Sequence, residues 1–152
     1  MKFVNKKLAT KLKEKGFDRP CLGFYNPIQD ELQLYCANNK DVTYKNILTS
    51  VYKNKVLVDA PTIEQVLKWL REEKDIHIKS DICFRYTSEH KKDKNGTYSG
   101  CMVVSKPFWS FLIRKIKNGN CVYDNTTASN YEYLSFEDAC IAGIEYVINN
   151  LI

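Results

Sequence analysis

Six cysteines and two histidines are the residues of this 152-residue chain best suited to nucleophilic or metal chemistry. Cys21, Cys36, Cys83, Cys101, Cys121 and Cys140 are spread along the sequence, and no two form a C-x-x-C pair. A zinc site draws on about four ligands, usually in close-spaced pairs. That pairing is missing, so no metal is expected. A Cys–His nucleophilic pair needs hydrogen-bond reach. His77 and Cys83 are six residues apart on what reads as one strand, or roughly 20 Å when extended. His90 lies in a charged turn region, and no cysteine is indicated beside it. The adjacent carboxylates Glu72–Glu73 and Glu137–Asp138 fall at a helix exit and a helix entry, where solvated charge is the ordinary use. The chain has no G-x-S-x-G, P-loop, G-x-G-x-x-G or EF-hand spacing. No catalytic residue and no cofactor is therefore assigned, and a binding protein is expected ahead of an enzyme.

Aromatic and basic side chains remain for recognition. Tyrosine and tryptophan are favoured at protein interfaces. Tyr44 and Tyr52, in an irregular stretch, and Trp69, at the flank of a helix, are the candidates for binding a protein partner. The basic charge is concentrated at one end. Residues 1–15 hold six lysines and one glutamate, while the other 137 residues balance 17 basic against 17 acidic groups. Lys6, Lys7, Lys11 and Lys13 are the candidates for contact with nucleic acid. Lysine outnumbers arginine 19 to 4. Arginine is the usual choice for bidentate recognition of bases and phosphates. The bias therefore suits loose phosphate attraction better than sequence readout. An accessory protein acting through protein contacts is the first expectation, and a nucleic-acid-binding regulator using the basic N-terminal helix is the alternative.

A chain of this length is the usual size of one domain, and one domain over residues 1–152 is expected. Hydrophobic residues make up 44% and charged residues 27%, an ordinary globular balance. The N-terminus has no apolar h-region, and no run of 18 apolar residues occurs. These features point to a cytoplasmic protein with reduced, packed cysteines and no membrane contact.

The elements that must position these residues show in the spacing. "NKKLATKLKEKGF" reads as a helix capped by Asn5. Gly16 and Phe17 are set for a Schellman stop against Leu12. "CLGFY" and "ELQLYCA" read as a hairpin, and Lys55–Val58 as a further short strand. In "APTIEQVLKWLREEK", Thr62 and Gln65 form a capping box. Ile63, Val66, Leu67 and Leu70 make the apolar stripe. Ile76, Ile78, Ile82, Phe84 and Tyr86 then alternate with polar residues as a strand, bent at Ser80–Asp81. Asn95-Gly96 predicts a hairpin turn. Pro107–Lys117 fits both periods, and its aromatic and β-branched content favours a strand leading to a second Asn-Gly turn. A last helix starts at Ser135. Its apolar face is predicted as Phe136, Cys140, Ile144, Val147 and Leu151, with close packing at Gly143. The predicted fold is α+β: one antiparallel sheet of about four or five strands with two or three helices packed on one face.

"KLATKLKEKGF", "APTIEQVLKWLREEKDIHI" and the terminal "SFEDACIAGIEYVI" together resemble a family of small hypothetical proteins of gut-bacterial genomes, often near prophage or other mobile elements. The resemblance covers the two ends and the centre, and residues 25–55 and 88–130 depart from it. It implies a bacterial or phage-derived cytoplasmic protein and carries over no activity, cofactor or site residue. The last helix also resembles the E-x-A helix of small antitoxins of the HicB type.

Overall fold

Asn5 opens the first helix, α1 (Lys6–Glu14), by accepting the Leu8 N–H at 2.9 Å. The helix ends in the predicted Schellman motif. Gly16 takes φ 89°, Phe17 N–H donates to the Leu12 carbonyl at 2.9 Å, and Gly16 N–H donates to the Lys13 carbonyl at 3.0 Å. This closure turns Phe17 back over the same face as Leu8 and Leu12, and all three are buried. In this computed structural model, the described residues are 1–28, 31–35, 57–84, 86–92, 94–96, 98–104, 107–117, 120–125 and 132–152.

The predicted first hairpin forms between β1 (Gly23–Tyr25) and β2 (Leu32–Leu34), in register from Gly23↔Leu34 to Tyr25↔Leu32. Strand β3 (Val58–Ala60) pairs on the other side of β1, giving an antiparallel sheet of order β2-β1-β3. Of the strand expected at Lys55–Val58, Val58 falls in β3, and Lys55 and Val56 lie outside the described residues. Val58 and Ala60 point into the core, while Asp59 between them accepts the Tyr35 hydroxyl at 3.0 Å. That period-2 alternation fixes the strand.

Helix α2 (Ile63–Lys74) carries the capping box in full. Gln65 N–H donates to Thr62 Oγ1 at 3.2 Å, and Thr62 N–H donates to Gln65 Oε1 at 2.9 Å. The helix stops at Asp75, which takes φ 55°. Strand β4 (Ile76–Cys83) begins at once. It does not bend at Ser80–Asp81: pairing with β7 (Phe108–Lys117) runs unbroken from Ile76↔Lys115 to Cys83↔Phe108. Beyond this ladder, β5 (Tyr86–Lys92) and β6 (Tyr98–Val104) form a two-stranded ribbon around a turn in which Gly96 has φ 84°. The ambiguous Pro107–Lys117 stretch is a strand from Phe108 onward. It returns as β8 (Asn120–Asn125), with a register shift between Lys115 and Ile116.

Helix α3 (Phe136–Asn150) starts where Ser135 accepts the Asp138 N–H at 3.1 Å. It buries Ala139, Cys140, Gly143, Ile144, Val147 and Ile148. The predicted face is thus rotated, leaving Phe136 and Leu151 at its margins. Gly143 explains the rotation. A Cβ there would stand 2.8 Å from Ile78 Cγ2 and 3.3 Å from the Phe111 ring. The helix lies against β4 and β7 along its smallest residue, which is the predicted close approach.

The class is α+β, as expected. The strands are divided more finely than expected. Among the described residues there are two three-stranded antiparallel sheets and the β5–β6 ribbon, in place of one sheet of four or five strands. One buried cluster joins the elements through Leu8, Tyr25, Ala60, Trp69, Phe111 and Ile144.

Candidate interaction surface

The helix-covered face of the β4–β7 sheet is set by alternation. Ile76, Ile78, Ser80 and Ile82 line it on β4, opposite Lys115, Ile113, Phe111 and Trp109 on β7. Helix α3 covers the middle of this face. Ser80 Oγ lies 3.2 Å from Cys140 Sγ, a hydrogen bond across the helix–sheet seam. Burial pushes the Cys140 thiol up, against the opposing pull of the Ser80 hydroxyl. A second such pair, Cys83 Sγ and Ser110 Oγ at 3.0 Å, bridges β4 and β7. Both of these cysteines thus pair with serine hydroxyls.

The apolar stripe runs past the start of α3. Ile82, opposite Trp109, is 50% exposed, and Phe84 beyond it is also 50% exposed. Trp109 meets Phe136 edge to face, with ring centroids 5.3 Å apart and planes at 74°, and Phe136 remains 42% exposed. Leu134 is 98% exposed. Its position is fixed on both sides. Trp109 and Tyr133 exchange two backbone hydrogen bonds of 2.9 Å, and Ser135 caps α3. An apolar residue just before a cap normally packs on the fourth helical residue. Here that residue is Ala139, which is buried and small. Leu134 is therefore held outward between two anchors. Ile82, Phe84, Leu134 and Phe136 are the exposed large apolar residues described in this half of the chain, and Trp109 touches Phe136 and pairs with Ile82.

The predicted site residues lie elsewhere. Trp69, expected at the flank of α2, is 0% exposed and belongs to the core, so it offers no surface to a partner. Its cover comes both from distant sequence and from its own helix. Phe17 packs edge-on at 5.4 Å, and Lys74 Nζ sits 5.0 Å over the ring. Arg19 clamps the segment after α1 to Glu72 at 2.7 Å and to Glu73 at 2.8 Å, and Gln65 donates to the Pro20 carbonyl at 2.7 Å. The Arg19 guanidinium, with help from the Trp69 indole N–H, holds the Glu73 carboxyl below its usual range. Leu67, placed in the predicted stripe, is only half-buried. Tyr44 and Tyr52 lie outside the described residues.

Several lysines of the basic N-terminus are engaged within the chain. Lys2 pairs with Asp138 at 3.0 Å, Lys11 donates to Asn149 Oδ1 at 2.8 Å, and Lys15 donates to the Ile152 carbonyl. Lys13 reaches the Leu57 carbonyl at 3.4 Å. Lys7 and Lys11 line a cleft of about 100 Å³ between α1 and α3, with Leu8, Glu145 and Asn149. Glu145 places an opposing charge in that cleft. Lys6 is half-buried on the same helix. The four candidate lysines thus share α1, and Lys11 and Lys13 are tied to neighbouring elements.

Comparison with family models, characterised proteins and solved structures finds no match to this chain. Among the described residues, no three His, Cys, Asp or Glu side chains gather in a group able to hold a metal ion. No helix among them is long and apolar enough to cross a membrane.

The sequence reading missed this surface because it counted Ile82, Phe84 and Phe136 with the core. Two signals were available. The alternating strand is longer than the four-turn helix that covers it, and Leu134 precedes a cap whose staple position is alanine.

Proposed function

We propose that this protein is a non-enzymatic accessory protein of bacterial or mobile-element origin that acts by binding another protein. The observation that carries this reading is the exposed apolar surface of Ile82, Phe84, Trp109, Leu134 and Phe136. Leu134 carries most weight, because folding neither uses nor hides it. Exposed apolar groups gathered on one face mark interaction sites more often than scattered single ones do. Trp109 supplies a large, half-buried aromatic anchor at the centre, as binding hot spots do.

The test is affinity capture from the native host with the intact chain, beside Leu134→Asp and Phe84→Ser. A partner retained by the intact chain and lost from both variants supports the reading, provided that their circular dichroism and thermal midpoints match the intact chain. Retention of the same partners by both variants overturns it.

A further inference from the structure

Among the described residues, the outer edge of β4 is open. β4 ends the order β4-β7-β8, and no described residue pairs with its outer side. The Ile116 N–H donates to the Asp75 carbonyl at 2.8 Å at the start of the β4–β7 ladder. In an antiparallel pair, bonding direction alternates along each strand. That bond therefore turns the backbone groups of His77, Lys79 and Asp81 toward β7. Those of Ile78, Ser80 and Ile82 are directed to the open edge. An edge strand of this length is a template for another strand unless charges blunt it. β4 carries two charges on its polar face, Lys79 and Asp81, both exposed and 2.6 Å apart.

We propose that the partner of this edge is a second copy of the same chain, paired antiparallel about a two-fold axis at Ser80. Charge selects the register. Centring on Lys79 would set Lys79 against itself, and centring on Asp81 would set Asp81 against itself. Centring on Ser80 sets each Lys79 opposite the second copy's Asp81, twice over. These fall at the non-hydrogen-bonded positions, where side chains approach most closely. The same register joins the backbone groups of Ser80 to those of the second Ser80. It also joins Ile78 to the second copy's Ile82, drawing the half-exposed Ile82 out of water. The contact is isologous, so it closes as a dimer and does not propagate. The charges that protect the edge from indiscriminate pairing specify this one pairing. Ile82 and Phe84 of the proposed partner surface lie at this seam, whereas Leu134 and Phe136 take no part in it, so Leu134→Asp tests the partner surface without touching the dimer.

Sedimentation equilibrium of the full chain at low salt and high micromolar concentration tests it. The intact chain dimerises. Lys79→Asp alone or Asp81→Lys alone opposes like charges across the axis, and each weakens dimerisation by about tenfold or more. The double exchange Lys79→Asp with Asp81→Lys restores it. A mixture of the two single variants also associates, although neither does so alone at the same concentration. Both side chains are exposed, so folding is retained. Amide exchange gives a second measurement: Ile78, Ser80 and Ile82 amides gain protection as concentration rises. An intact chain that stays monomeric, a dimer indifferent to both single reversals, or no concentration-dependent protection at those three amides overturns the proposal.

Discussion

Trp69 donates its indole N–H to the Glu73 carboxylate one helical turn on, 2.8 Å away, and Glu73 in turn receives Arg19 at 2.8 Å. The largest buried side chain of α2 and the clamp over it are therefore one unit. Trp69→Ala removes the ring from a fully packed site, and the expected loss is about 3–5 kcal/mol of folding stability. Trp69→Phe keeps part of the ring and costs less. Urea unfolding measures both, and an alanine loss under about 1 kcal/mol would contradict the packing described.

Gly143→Ala sets two effects against each other. Alanine improves helix propensity by about 1 kcal/mol. Its Cβ, however, meets Ile78 Cγ2 at 2.8 Å, and overpacking a tight seam costs about 1–3 kcal/mol. Net destabilisation is expected. Ile78→Ala removes the atom in conflict, so the double variant should be more stable than the sum of the two single losses implies. Strict additivity in a double-mutant cycle would show that the two residues do not touch.

Gly16→Ala has a different cause and a different remedy. No atom lies within 4 Å of a Cβ built there, so the cost is backbone conformation alone. At φ 89°, alanine should lose about 1 kcal/mol. Asn, which tolerates the left-handed region, should lose less. Thermal melts of the two variants give the order, and an alanine variant as stable as glycine would argue against the Schellman stop.

Stability should fall at both ends of the pH range. Arg19 holds Glu73 low, and the Ser135 hydroxyl with Lys2 holds Asp138 low. Their folded values lie below the unfolded ones. Their contribution is thus present above the ordinary carboxylate range and is lost as pH falls through the folded values. Both groups are exposed, so the effect is modest. Burial raises the Tyr25 and Tyr35 phenols and the Cys140 thiol. The neutral folded form then loses ground as pH rises above the ordinary thiol and phenol values. Glu73→Gln combined with Asp138→Asn should flatten the acid limb of the urea midpoint against pH. An unchanged acid limb would remove these pairs from the account.

Features decided within one turn of chain were legible in the sequence. Asn5, the Thr62–Gln65 box, the Gly16–Phe17 stop and Ser135 all act on neighbours within a few residues, so spacing suffices to find them. Gly143 was legible as a point of close approach, although its neighbours Ile78 and Phe111 were not. Features decided by distant contacts were not legible. Trp69 moved from flank to core because Phe17 packs on it and Arg19 ties the following segment to Glu73, both from about 50 residues away. Phe136 moved from core to surface because α3 settles on Gly143 and turns its first residue outward. The division into two sheets depends on β3 choosing β1, and β4 choosing β7, among strands of similar pattern. The exposed surface followed from where α3 stops covering the strand, a length that hydrophobic alternation alone does not record.

The ties from the basic N-terminus have a consequence for how the chain is made. Lys2–Asp138, Lys11–Asn149 and Lys15–Ile152 each join residues 136 to 138 positions apart. During synthesis α1 must therefore wait for α3, the last element described, before its partners exist. Until then Leu8 and Leu12 lack part of their cover. Such long-range closure slows folding. This part of the fold therefore closes only once α3 has been made, and the lysines around α1 also help to keep the waiting helix in solution.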